Sequence, residues 1–279
     1  MQMTLWGTRG SVAAPGPETT RYGGNTSCVS VEGTEGTLLV LDAGTGIRRF
    51  MATIPEEIWR VDILLTHLHL DHIQGLGFFG PLRHPGYEVH IWGPASTTLT
   101  LRERLSRYFS PPLFPVYMRD MTSALILHEV AEDTFTIGEF TITSALVGHW
   151  DPTVGYRIES SGKTLTYFPD HEPSLGTKGF AVESNWISGF ALAQGADLLI
   201  HDAQYTAEEY KTRMGWGHSS IPDAFQFAAL AKPKHLVPFH HDPTHSDDEL
   251  DYLFEQQMQS TKPAFKVTPA AEGAVFEIC

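Results

Sequence analysis

The feature that most constrains this chain is a cluster of metal-binding side chains directly after a short apolar run. Residues 67–72 read His-Leu-His-Leu-Asp-His, and they follow Val61-Asp62-Ile63-Leu64-Leu65, a run short enough to be a buried strand. Side chains two positions apart on an extended chain project to the same side, so His67 and His69 can bind one ion. A turn then directs the aspartate and the last histidine toward a second ion. The pattern predicts a two-metal site at a strand end.

Three more residues of the same types follow apolar runs elsewhere in the chain: His149, Asp170 and His240. Each one alone could equally be an ordinary core or loop residue, but α/β proteins gather their sites at strand ends. With the first run they give three ligands for each metal and one shared carboxylate. All the donors are nitrogen or oxygen, so zinc is the expected metal, and manganese or iron fits the same ligand set.

Apolar runs and turn residues alternate along the rest of the chain. Several pairs of runs are typical of hairpins, and others alternate with helical patterns, including a helix over residues 97–108. Such a mixture indicates layered sheets covered by helices. The sequence contains no internal repeat, no low-complexity tract and no long linker, so we expect residues 1–279 to form a single domain.

The charge balance limits the partners of the protein. The chain has 33 Asp and Glu residues against 19 Lys and Arg, a formal net charge of −14. Because phosphate binding depends on Lys and Arg, this balance argues against stable nucleic-acid binding. The same acidity argues against docking on an anionic membrane. A small anionic substrate remains compatible with it.

The expected cellular location of the protein rests on features that its sequence does not contain. No stretch approaches the ~20 apolar residues of a membrane-spanning helix. The N-terminal residues lack the basic and apolar regions of a signal peptide. Two cysteines, Cys28 and Cys279, are too few for a disulfide framework or a cysteine-based zinc site. We therefore expect a cytoplasmic protein with no membrane partner.

In order and type, the seven candidate ligands resemble the ligand set of the metallo-β-lactamase superfamily. Residues 5–11, 23–27 and 41–46 resemble the branch that holds ribonuclease Z and related phosphodiesterases, including enzymes that open cyclic nucleotides. The resemblance implies an α/β fold, an αβ/βα four-layer sandwich of two facing mixed β-sheets with helices on the outside. It assigns the two metals to the ligands His67, His69 and His149 and to Asp71, His72 and His240, with Asp170 bridging.

Two further segments resemble signatures of ribonuclease Z. Residues 201–206 are similar to its His-Glu-Ala-Thr-Phe motif, and residues 217–220 to its His-Ser-Thr motif. The resemblance implies that Asp202 orients His218 and that His218 assists the departing oxygen. This chain has Asp where the family usually has Glu, which shortens the reach by one methylene. An N-capped helix and a surface histidine are the ordinary alternative.

These parts predict a dinuclear metal-dependent phosphodiesterase. Two divalent ions would share a water and lower its pKa, and Asp71 would orient the resulting metal-bound hydroxide. The expected substrate is a small phosphodiester, with a 3′,5′-cyclic nucleotide as the first expectation. Ribonuclease Z-like tRNA 3′ processing is the near alternative, followed by a lactonase, thioesterase or β-lactamase. Outside enzymes, a non-catalytic metal- or nucleotide-binding protein is the alternative.

Substrate contacts are less well defined. Arg9, Arg21 and Asn25 lie near segments that approach the active-site edge in relatives of this kind, so one of them could bind phosphate. Ordinary pairing explains the two arginines equally well. The segment 97–121 contains four arginines and could be a lid or a dimer contact. The resemblance also raises the expectation of a homodimer.

Overall fold

A computed structural model describes residues 1–174, 179–180 and 183–278 of the chain. The strands within these residues form two seven-stranded sheets. In spatial order, the first sheet contains β14 (Val275–Glu277), β1 (Gln2–Gly7), β2 (Cys28–Glu32), β3 (Leu38–Leu41), β4 (Arg60–Leu64), β5 (Glu88–Pro94) and β6 (Ala124–Val130). The second contains β13 (Lys266–Val267), β12 (His235–Phe239), β11 (Leu198–Asp202), β10 (Lys163–Phe168), β9 (Val154–Ser160), β8 (Phe140–Leu146) and β7 (Asp133–Ile137).

Both sheets are mixed. Strands β3 to β6 run parallel, and β1 and β2 join them in antiparallel pairs. In the second sheet β10 to β13 run parallel, whereas β7 to β10 form antiparallel hairpins. The helices are α1 (Ile47–Met51), α2 (Leu70–Ile73), α3 (Leu101–Tyr108), α4 (Phe190–Ala193), α5 (Ala207–Arg213), α6 (Ile221–Ala231) and α7 (Asp247–Thr261).

Three apolar clusters hold the layers together. The largest lies between the two sheets, and the other two lie under the helices that cover each sheet. Strand β3 illustrates why each sheet is covered on both faces. Leu39 and Leu41 face the other sheet, whereas Leu38 and Val40 face the helices. A strand with apolar side chains on both faces must be covered on both sides. The predicted αβ/βα four-layer sandwich is confirmed, and the single-domain boundary of 1–279 stays a prediction.

The predicted helix over residues 97–108 begins later than expected. Helix α3 starts at Leu101 because Thr100 caps it: the Thr100 hydroxyl accepts a hydrogen bond from the Glu103 amide, and the Glu103 carboxylate accepts one from the Thr100 amide. This reciprocal capping box fixes the N-terminus of the helix. The residues before Thr100 are therefore a loop that leads out of β5.

The topology brings strand ends from both sheets to one edge. Strands β8, β10, β11 and β12 point the same way in the second sheet, so their carboxyl ends lie side by side. The end of β4 joins them from the first sheet, because the Val154 amide donates to the Thr66 carbonyl (2.9 Å) and the Tyr156 hydroxyl donates to the Leu65 carbonyl (2.8 Å). The residues that follow these strands form the site.

No helix in the part of the chain that the structure describes is long and apolar enough to cross a lipid bilayer.

The inter-sheet core can be tested with two matched isoleucines. Ile142 on β8 is fully buried between the sheets, whereas Ile126 on β6 is 36% exposed. We expect Ile142→Ala to lower the free energy of unfolding by about 2–5 kcal/mol, since it leaves a cavity. Ile126→Ala should cost about 1 kcal/mol or less. Urea unfolding followed by circular dichroism measures both, and equal losses would contradict this assignment of the core.

Candidate metal centre

The first cluster of metal-binding groups contains His67, His69, His149 and Asp170. One ligand atom from each lies within 4.8 Å of the others. His149 Nε2 is 3.2 Å from His69 Nδ1, and Asp170 Oδ2 lies 3.7 Å from the Nε2 atoms of both His67 and His149. Three imidazoles and one carboxylate oxygen therefore face a common point, which is a typical set of zinc ligands.

The second cluster contains Asp71, His72 and His240, together with the same Asp170. Asp170 Oδ1 lies 2.9 Å from His72 Nε2 and 3.3 Å from His240 Nε2, and Asp71 Oδ2 lies 3.2 Å from His240 Nε2. Asp170 thus turns Oδ2 to the first cluster and Oδ1 to the second. This is the geometry that a bridging carboxylate requires.

The donor set fits divalent metal ions. Asp71 and Asp170 are buried, yet no Lys or Arg among the described residues pairs with either carboxylate. His67 Nε2 is also buried and has no hydrogen-bond partner within those residues. Buried charges in proteins are paired or coordinate metals, and buried polar atoms are normally hydrogen-bonded. Two neighbouring ions of charge +2 would meet both requirements.

Burial also keeps several of the imidazoles in the form that binds metal. It lowers the pKa of His67 well below its usual value, and it lowers the pKa of His149 to about 4 despite the nearby Asp170 carboxylate. Both rings are therefore neutral near pH 7. Because a protonated nitrogen cannot bind a metal, neutral rings need no proton release before they coordinate.

Asp42 orients the second cluster from behind. Its carboxylate lies 2.8 Å from His72 Nδ1 and accepts hydrogen bonds from the Thr66 amide (2.8 Å) and the Tyr167 hydroxyl (3.0 Å). A carboxylate on the far nitrogen fixes the ring of a metal-binding histidine and its tautomer. Sequence patterns alone did not identify the Tyr167 hydroxyl as a partner of Asp42. The period-two pattern of β10 could have found this tyrosine, because it faces the inter-sheet core beside Asp42.

The Asp202–His218 pair lies against both clusters. His218 Nδ1 is 2.7 Å from Asp202 Oδ2, and the His218 ring stacks on the His240 ring with centroids 5.0 Å apart. Burial alone would lower the pKa of His218, but the neighbouring carboxylates, with Asp202 first and then Asp170 and Asp71, together outweigh burial and raise that pKa to about 9. The Asp202 carboxylate therefore favours the protonated form of His218. The backbone amide of Gln204 donates a further hydrogen bond to Asp202 and fixes its position.

The weaker substrate candidates lie outside the clusters. Arg9 is completely buried and donates hydrogen bonds to the Gly23, Asp242 and His245 carbonyls. Arg21 pairs with three aspartates of α7, and Asn25 Nδ2 donates to Glu272 (3.0 Å). The structure does not bring these three side chains to the metal centre. Arg9 instead ties the N-terminal loop to the loop after His240.

The segment 97–121 borders the metal centre. Helix α3 forms one wall of a cleft of about 440 Å³ that reaches His69, with Arg104, Arg107, Tyr108 and Leu113 among its lining residues. Arg104 already contacts the Pro94 carbonyl and lies 3.8 Å from Glu129. Arg107 forms no ion pair or side-chain hydrogen bond with any described residue. Whether the segment closes as a lid or contacts a second copy stays a prediction.

The number of metal ions bound by suitable variants tests the two clusters separately. We expect His149→Ala and His240→Ala each to lower bound metal from about two ions per chain to about one, because each removes a ligand from one cluster only. Asp170→Ala should weaken both sites, so its metal content should fall below that of the other two variants.

The exposed His84 supplies the control, and His84→Ala should retain the wild-type metal content. Mass spectrometry of the metal, after dialysis and with circular dichroism to check folding, gives the stoichiometry. Retention of both ions by Asp170→Ala would contradict the bridging role.

The sequence and the fold are similar to known proteins. A family model described as "Beta-lactamase superfamily domain" matches residues 37–241. A protein named ribonuclease Z from Gemmatimonas aurantiaca is 27% identical over 88% of this chain and 88% of that protein. A ribonuclease Z from Thermococcus onnurineus is 26% identical over 74% of this chain and 76% of that protein.

Two solved structures show the same fold. Zn(2+)-bound PqqB from Methylobacterium extorquens superposes with a TM-score of 0.74 at 18% identity, over 99% of this chain and 100% of that one. The short form of human tRNase Z gives a TM-score of 0.68 at 22% identity, over the whole of both chains. Since the family model matches well over half of the residues, the chain belongs to the β-lactamase superfamily domain family, and it is a metal-dependent hydrolase.

Proposed function

We propose that the protein is a metal-dependent phosphodiesterase of the ribonuclease Z kind, which hydrolyses a phosphodiester bond in RNA. The observation that carries this proposal is the Asp202–His218 pair, held 2.7 Å apart and stacked on the metal-ligand candidate His240. It places a proton donor next to a centre suited to two ions. Hydrolysis of a phosphodiester needs both parts.

In the proposed reaction, different side chains have different roles. Two bound divalent ions would lower the pKa of a water and offset the negative charge at phosphorus. The Ser11 amide donates to Asp71 Oδ2 (2.8 Å), and His240 Nε2 lies against the same oxygen. Asp71 Oδ1 accepts no hydrogen bond from the residues that the structure describes, so it is free to accept a hydrogen bond from the attacking water and orient it. Because His218 Nδ1 faces Asp202, its Nε2 donates the proton to the leaving oxygen.

The leaving group and the relatives together favour this activity over acyl hydrolysis. An RNA diester releases an alkoxide, which is a strong base and benefits from a proton donor. A thioester releases a weakly basic thiolate and has less need of the Asp202–His218 pair, whereas lactonase and β-lactamase activities are disfavoured by the relatives named ribonuclease Z. A purely binding role would leave the full set of ligands and the proton donor without a use. A hydrolase of phosphodiesters therefore accounts for more of the site than these alternatives.

The relatives favour RNA over the cyclic nucleotide that the sequence alone suggested first. The two curated relatives described above are both named ribonuclease Z. Arg107 lines the cleft beside His69 and pairs with no other residue that the structure describes. Its positive charge could therefore bind a phosphate next to the phosphate that is cleaved. A 3′,5′-cyclic nucleotide has no second phosphate. A small diester remains the second candidate, because the net charge of −14 disfavours a long polyanion.

A substrate panel tests the proposal. Metal-loaded protein is incubated with a tRNA precursor, a short RNA, cyclic AMP and bis(p-nitrophenyl) phosphate, in parallel with zinc, manganese and iron. We expect cleavage of the RNA substrates and of the p-nitrophenyl diester. Hydrolysis of cyclic AMP without RNA cleavage would contradict the RNA substrate and support a small diester instead. No turnover of any substrate with any metal would overturn both candidate functions.

The proton donor can be tested through the leaving group. We expect His218→Ala to lower kcat by about 10²–10⁴-fold for an RNA dinucleotide, whose leaving alkoxide needs a proton. The loss should be much smaller for bis(p-nitrophenyl) phosphate, because p-nitrophenolate departs without one. His84→Ala serves as the control and should match wild type on both. An equal loss on the two substrates would contradict the role of acid.

The flanking-phosphate contact can be tested on α3. We expect Arg107→Met to raise KM for RNA by about three- to tenfold, because one screened charge–phosphate contact is worth about 1 kcal/mol. The effect should shrink as salt is added. Arg102→Met changes the same residue type on the same helix outside the cleft and should have no effect. Identical KM values for both variants would contradict the contact.

A further inference from the structure

Two exposed tryptophans lie at the rim of the metal centre. The Trp150 side chain is 62% exposed and the Trp216 side chain is 58% exposed. Neither indole stacks on another aromatic ring in the part of the chain that the structure describes. Trp150 directly follows the metal-ligand candidate His149, and Trp216 precedes the proton donor His218 by two residues. Both therefore flank residues that act in the proposed reaction.

Hydrogen bonds join the two tryptophan segments to each other. His149 Nδ1 lies 2.7 Å from the Gly217 carbonyl, and Trp150 Nε1 donates to the Gly215 carbonyl (2.7 Å). These two contacts run side by side, so the loop that carries Trp150 and the loop that carries Trp216 form one continuous edge. These contacts fix the Trp150 indole, and the backbone on both sides of Trp216, next to His149.

A buried carboxylate fixes the second loop. Glu172 accepts hydrogen bonds from the Gly215 and Gly217 amides, both 2.8 Å long. Gly217 also has a φ of +89°, and a Cβ there would lie 2.4 Å from His149 Nδ1, so this position requires glycine. Trp216 sits between these two anchored residues and projects outward. A binding surface held in this way loses little conformational entropy when a ligand arrives.

We propose that Trp150 and Trp216 form an aromatic platform on which the nucleobase next to the scissile phosphate stacks. The inference rests on the proposed phosphodiesterase activity and names the substrate more closely, as a diester that carries an unpaired nucleoside. Bases stack on indole faces without regard to sequence, because every base has a π-face. Stacking also needs no positive charge. It therefore gives an acidic protein a way to hold a nucleotide that does not depend on lysine or arginine.

The test compares two diesters that share a leaving group. Thymidine 5′-(p-nitrophenyl phosphate) carries a nucleoside, whereas methyl p-nitrophenyl phosphate does not. We expect Trp150→Ala and Trp216→Ala each to lower the ratio of kcat/KM between the nucleoside and the methyl substrate by about tenfold. The change should lie in KM rather than kcat. Trp216→Phe keeps an aromatic face and should restore most of the ratio.

Trp59 supplies the matched control. It is 50% exposed and directly precedes β4, at the opposite end of the strand that leads to His67. Trp59→Ala should leave the ratio at the wild-type value. A fall of the same size in this variant would show a general effect of removing an indole and would contradict the platform.

A binding measurement gives a second readout without turnover. Tryptophan fluorescence is titrated with a nucleoside monophosphate and with ribose 5-phosphate, which lacks the base. We expect quenching by the nucleotide only, and its loss in the double variant of Trp150 and Trp216, with circular dichroism confirming the fold. If wild type hydrolyses neither the p-nitrophenyl diesters nor RNA with any metal, the proposed function fails, while the quenching still tests the platform. Hydrolysis of both with an unchanged ratio in the variants would overturn the platform alone.

Discussion

The site depends on one buried carboxylate that pairs with no Lys or Arg among the residues that the structure describes. Asp170 follows β10 and directs one oxygen to His67 and His149 and the other to His72 and His240. Burying a charge in this way is costly unless cations compensate it. Two divalent ions would do so, which couples the chemistry of the site to the stability of the strand ends around it.

Those strand ends meet because two sheets pack face to face. The first sheet contributes His67 to His72 at the end of β4, and the second contributes the residues after β8, β10, β11 and β12. Asp42 binds the two halves together, because it contacts His72 from the first sheet and the Tyr167 hydroxyl from the second. A shift of one sheet against the other would therefore disturb both metal clusters together. The large apolar cluster between the sheets opposes such a shift.

The acidic residues of the chain fall into two groups. One group lies at the candidate metal centre, where Asp42, Asp71, Asp170 and Asp202 are buried. Most of the other acidic residues that the structure describes are at least partly exposed and disfavour a polyanion. The proposed substrate is nevertheless an RNA diester. In the proposed mode of binding, Arg107 in the cleft and the two exposed indoles at the rim would reconcile this substrate with the acidity, because a single cation and aromatic stacking act at short range. Binding of this kind suits recognition of a few nucleotides rather than coating of a long strand.

The sequence by itself determined the strand after which the candidate metal ligands come and the types of those ligands, because periodicity and ligand chemistry are local properties. Its resemblance to a known superfamily implied the four-layer fold. The helical pattern placed the start of α3 too early, since the Thr100 capping box decides where this helix begins. Only the tertiary structure separated Arg9, which is buried among backbone carbonyls, from Arg107, which lines the cleft and pairs with no residue that the structure describes. It alone brought Trp150 to Trp216, 66 positions apart in the sequence. Contacts between distant segments depend on how the sheets pack, and no local pattern records them.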